Sequence, residues 1–119
     1  MRQILVYSSF SWLALAGGLH FAIDVVAQFA RGARAPGPET TLYYGLHSAY
    51  ALGLVLFGGF GLLVARQAPA LLSQWPALAL TVFAAAAWLV LAFVFIEYRP
   101  PRILISVFAV LALSMVATR

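Results

Sequence analysis

Residues Ala77 to Ile96 read ALALTVFAAAAWLVLAFVFI. These twenty positions hold no charge, glycine or proline, and Thr81 carries the only hydroxyl. At about 1.5 Å per residue, roughly 20 apolar residues cross a hydrocarbon layer about 30 Å thick. A helix can do so because its backbone donors find acceptors within the same segment. The stretch predicts a transmembrane helix over 77–97, ending at Glu97.

Outward from it, three more apolar runs predict helices over 103–118, 40–65 and 3–30. Proline and arginine collect only between them, in Arg31–Pro38, Arg66–Pro76 and the tight turn Tyr98–Arg102. Proline and glycine there break any helix. Glu39, Thr40 and Thr41 are suited to open the second helix. The first run is too long for a secretory h-region and has only Arg2 before it, so it is expected to stay as a span. The expected fold class is all-α: a polytopic integral membrane protein, an up-down-up-down four-helix transmembrane bundle in one domain over 1–119.

Composition agrees with this. The chain is 65% hydrophobic and 8% charged, against about 25% charged in a soluble domain. Its mean hydropathy is +1.01. Such a chain cannot cover itself with polar groups, so its main partner is expected to be the lipid bilayer. Cysteine is absent, which excludes disulfides, thiolate metal sites, iron–sulfur clusters and thioether-linked haem. All seven basic residues are arginines, scattered among loops and ends, so no nucleic-acid partner is expected. Arginine without lysine, beside much alanine, glycine and leucine, suggests a GC-rich bacterial genome and an inner-membrane location. Antiparallel threading puts Arg31, Arg34, Arg99 and Arg102 on one side, against Arg2, Arg66 and Arg119 on the other. By the positive-inside rule the termini are expected in the periplasm.

Small residues recur every fourth position at Ala14, Gly18 and Ala22, and at Gly45, Ala49 and Gly53. They predict close helix contact, within the bundle, in a homodimer or in a larger membrane complex. Tyr7, Trp12, Tyr43, Tyr44, Trp75 and Tyr98 lie mostly near span ends and read as headgroup anchors.

Four polar residues interrupt the apolar spans: His20 and Asp24 in the first, His47 in the second and Glu97 at the end of the third. Alternate crossings carry all four into one leaflet, and residues four apart on a helix can touch. Buried ionisable groups in a membrane usually mark function. Imidazoles and carboxylates at His20, Asp24, His47 and Glu97 can hold a divalent metal. His20 and Asp24 can serve as catalytic acid–base groups on a lipophilic or redox-active ligand. His20 and His47 can also ligate a b-type haem, with the arginines above for its propionates. Two other functions use the same features: a dimeric proton-coupled transporter with Asp24 titrating, and an accessory subunit of a larger complex. In the blandest reading Asp24 and His20 only satisfy each other, His47 hydrogen-bonds a backbone carbonyl, and Glu97 pairs with Arg99 or Arg102.

Overall fold

Helices form over the apolar runs, and proline and glycine decide where most of them start and stop. In the computed structural model, which describes every residue from Met1 to Arg119, α1 covers Arg2–Ala30, α2 Pro38–Gln67, α3 Trp75–Phe95 and α4 Arg99–Ala117. All four are long and apolar enough to cross a membrane. A 3-10 turn, Pro69–Ser73, joins α2 to α3.

α1 ends at Gly32, whose φ of 60° lies in the left-handed region that favours glycine. Ala33 N–H donates to the Gln28 carbonyl at 3.0 Å and Gly32 N–H to that of Phe29 at 3.1 Å, the two bonds of a Schellman closure. Prolines open the other three helices, at Pro38, Pro76, and Pro100 with Pro101. First-turn N–H groups have no acceptor inside the helix, so proline's missing donor costs little there. This corrects two expected boundaries. The turn expected over Tyr98–Arg102 is mostly the first turn of α4, which starts at Arg99 and not 103. α3 likewise starts at Trp75 and not 77. α3 stops at Phe95, because Ile96 (φ −109°, ψ 113°) and Tyr98 (φ −105°, ψ 156°) are extended.

α1 lies centrally, with α2 along one side and α4 along another, and α3 packs on α4. The α2–α3 seam is the loosest. Trp88 of α3 bridges it, its ring 5.4 Å from that of Phe57 on α2. The α1–α2 contact is tight. A Cβ on Gly58 would stand 2.7 Å from the Ala14 nitrogen and 2.8 Å from the Phe10 carbonyl oxygen. One on Gly17 would stand 2.8 Å from the Ala51 carbonyl oxygen.

The expected four-residue repeats only partly describe this contact. Gly18 and Gly45 face open space, and Gly53 meets only the Trp88 ring. The register is set by a buried stripe of α1 that runs Phe10, Leu13, Gly17, His20, Asp24. On α2 the stripe is His47, Ala51, Leu54, Gly58, Gly61, Ala65. The large apolar members choose the face, and the glycines on that face let the backbones meet.

Arginines tie both ends. Arg2 donates to the carbonyls of Leu72 and Met115, each at 2.7 Å, and Arg102 donates to that of Ile96 at 2.9 Å. Trp12, expected as a headgroup anchor, instead donates across the bundle to the Leu104 carbonyl at 2.8 Å.

Candidate functional site

The polar members of the two buried stripes meet at one end of the α1–α2 contact. His20, Asp24 and His47 are 4%, 7% and 4% exposed, as buried as the apolar core around them. The winding of α1 changes here: Phe21–Ala27 is a π-helix, and Asp24 is its only buried residue. Such wider turns inside α-helices are rare and occur frequently at functional sites.

The three side chains form a line. His20 Nε2 stands 2.8 Å from His47 Nδ1, with the rings nearly parallel at a 23° interplanar angle. His20 Nδ1 stands 2.9 Å from Asp24 Oδ2. That second contact is short but out of line, so His20 Nδ1 lacks a hydrogen bond of good geometry.

Proton bookkeeping then couples the two tautomers. Between two imidazole nitrogens at hydrogen-bond distance one donates and the other accepts. With Asp24 ionised, a neutral His20 turns its Nδ1–H toward the carboxylate, so its Nε2 accepts from His47 Nδ1–H. His47 Nε2 is then left as a lone pair, the basic end of the line. It has no hydrogen-bond partner in the chain, and the only one His47 makes is through Nδ1.

Aromatic rings enclose the line. Tyr50 sets its ring edge-on to His20 at 4.9 Å, and Tyr43 lies 4.2 Å from His47 with the Arg34 guanidinium over the Tyr43 ring, 3.4 Å from its centre. Tyr98 folds in from the α3–α4 link and lies nearly parallel to His47 at 6.3 Å. Its hydroxyl is buried without a well-aligned partner. Burial first, and then the Asp24 carboxylate and the Tyr43 hydroxyl, push the Tyr98 phenol well above its ordinary value. It therefore stays protonated beside Asp24.

Beside His47 a cavity of about 220 Å³ opens between α2 and α3, lined by His47, Tyr50, Trp88, Phe95 and Ile96 among others. Its wall is almost wholly apolar, with the imidazole as its one basic group.

The structure thus brings together His20, Asp24 and His47, and leaves Glu97 out. Glu97 is exposed on the α3–α4 link, and the only carboxylate ion pair in the chain is that of Asp24 with His20. The pairing of Glu97 with Arg99 or Arg102 is not formed, because Arg102 is turned onto the carbonyls that end α3. No three His, Asp or Glu side chains converge as metal ligands. Two imidazoles on opposite sides of a metal, each at about 2.0–2.1 Å, stand about 4 Å apart. The His20 and His47 nitrogens, at 2.8 Å, are set for a shared proton and not for a haem iron.

Two features were missed in the sequence. Tyr98 read as a headgroup anchor but packs on His47, where Tyr43, expected in the same leaflet, packs too. The only signal for Tyr98 was its place in a link too short to let it leave the bundle. The π-helix left no signal. No protein-family model, curated protein or solved structure matches the chain.

Proposed function

We propose that this chain is a four-pass protein of a bacterial inner membrane, with periplasmic termini, that exchanges a proton with a lipophilic, redox-active ligand. The observation that carries this reading is the line Asp24–His20–His47, with contacts of 2.9 and 2.8 Å, beside an apolar cavity. The step is proton transfer alone. His47 Nε2 takes the proton of a ligand O–H, and the His47 Nδ1 proton passes to His20 Nε2. Positive charge then rests on His20, where the Asp24 carboxylate stabilises it. Reprotonation of the ligand runs the same path backwards. Tyr98 covers Asp24 from the loop side and excludes water.

The test uses a decyl-substituted benzoquinol, kept reduced, with the full chain in nanodiscs, read by tryptophan quenching. Saturable quenching whose affinity varies with pH, and loses that variation in Asp24→Asn, supports the reading. Linear quenching identical in the wild type and in Leu91→Trp, which fills the cavity, overturns it.

A second reading, proton-coupled transport by a homodimer, draws support from Gly18, Gly45 and Gly59, which face outward with nothing near them. Proton-dependent uptake in vesicles, abolished by Asp24→Asn, would select it. Metal analysis and a visible spectrum of the purified protein test the divalent-metal and haem readings. Stoichiometric metal or haem, lost in His20→Ala, would replace the relay.

A further inference from the structure

The second feature of the arginine-rich end lies outside the bundle and is independent of the relay. Along the outer face of α4, a groove of about 580 Å³ runs from Arg99 and Arg102 past Ile103 and Val107 to Val110, with Phe93 of α3 as one wall. One end is cationic and the rest apolar. The only hydroxyl in it, on Ser106, is turned back onto the Arg102 carbonyl at 2.7 Å, so it presents no donor to the groove.

Neither cation is in an ion pair, Glu97 on the preceding link included. Arg99 makes no side-chain hydrogen bond or ion pair, and Asp24 is engaged with His20 inside the bundle. Arg102 is held by its Nε on the Ile96 carbonyl at 2.9 Å and the Ala92 carbonyl at 3.3 Å, which fixes the guanidinium plane at the groove mouth. Its Nη2 leans on the Phe93 carbonyl at 3.4 Å, and Nη1 donates to nothing in the chain. Pro100 and Pro101 remove two backbone donors from the helix start, so an anion there must be held by the side chains.

We infer that this groove holds one anionic membrane phospholipid, with its phosphate on Arg99 and Arg102 and an acyl chain along Ile103, Val107 and Val110. The charge at one end calls for a phosphate, and planar guanidinium groups suit its oxygens. The apolar floor beneath calls for a hydrocarbon chain joined to that phosphate. A free phosphate would use the first and leave the second bare.

Native mass spectrometry of the full chain tests this, by titration with phosphatidylglycerol and phosphatidylcholine of matched acyl chains. The wild type is expected to retain the first phosphatidylglycerol at least about fivefold more tightly, the scale of one basic residue near a lipid surface. Arg99→Gln should lose most of that preference, and should fold because Arg99 bonds to nothing in the chain. Arg102→Lys, which keeps the charge, should retain part of it. Arg66→Gln, at the opposite end, should leave it unchanged. Val110→Trp should weaken both lipids by filling the floor. An unchanged preference in Arg99→Gln, or an equal loss in Arg66→Gln, overturns the assignment. So does inorganic phosphate displacing the lipid completely at millimolar concentration with Val110→Trp silent, which would make the arginines a plain anion site.

Discussion

His20 Nε2 faces His47 Nδ1 across 2.8 Å, a gap that admits one proton and no other atom. Each ring's tautomer is therefore decided by its neighbour, and Asp24, 2.9 Å from the far nitrogen of His20, biases the pair from one end. Both rings should carry their proton on Nδ1 when neutral. The chain has only two histidines, so ¹⁵N spectra of histidine-labelled protein, with His47→Gln for assignment, read this directly. Two Nδ1–H tautomers are expected, and Asp24→Asn should shift the pair toward Nε2–H. Nε2–H tautomers in the wild type would rule out the relay direction.

Removing one member strands the others in a dry site. His20→Ala leaves the Asp24 carboxylate and His47 Nδ1 buried without their partner, at a cost of about 1–3 kcal/mol for each unsatisfied group. His47→Ala should cost less than His20→Ala, because it leaves only His20 Nε2 without its polar partner. Unfolding in mixed detergent measures both. In the His20→Ala/Asp24→Asn double variant the loss should be smaller than the sum of the singles. Strict additivity would mean that the two side chains do not interact.

Gly58 should tolerate nothing larger. A Cβ there would meet the backbone of Ala14 and Phe10, which cannot rotate away. Gly58→Ala is expected to destabilise by about 1–3 kcal/mol, as overpacking does. Gly45→Ala, facing open space, should lie within about 0.5 kcal/mol of the wild type or improve it slightly. The same unfolding assay ranks them, and equal effects would refute the α1–α2 register.

Tyr98 gives a pH dependence of known sign. Its folded phenol is held above the ordinary value of 10.0, while the unfolded chain ionises near that value. The stability it contributes is full below about pH 10 and is lost as pH rises beyond it. Tyr98→Phe should therefore flatten the alkaline limb of the stability profile and leave neutral pH almost unchanged. Tyrosinate absorbance should also lose its latest-titrating component. An unaltered alkaline limb would place Tyr98 in water.

Much of this was readable from residue order. Long apolar runs separated by proline and arginine define four helices, and a four-residue spacing puts His20 against Asp24. Alternate crossings then bring His47 to their depth. The unread part depends on geometry that has no local sequence code. Glu97 falls outside the cluster because the proline-led start of α4 needs extended backbone just before it, which ends α3 at Phe95. The contact glycines, Gly17 and Gly58, were hidden beside equally plausible Gly18 and Gly45, since only packing of Phe10, Leu13 and Leu54 chooses between neighbouring faces. The wider winding of α1 from Phe21 to Ala27, where Asp24 is the one buried residue, follows no proline or glycine signal in that stretch.

The seam between α2 and α3 has one further consequence. α1 and α2 are locked at their glycines and α3 is fastened to α4 through Arg102, so the loosest seam of the bundle is the α2–α3 one beside His47. A guest of that site would arrive sideways, out of the acyl chains, and never pass through the aqueous phase. Its supply would follow its partitioning into lipid, so occupancy would scale with mole fraction in the bilayer and stay indifferent to how much is dissolved outside.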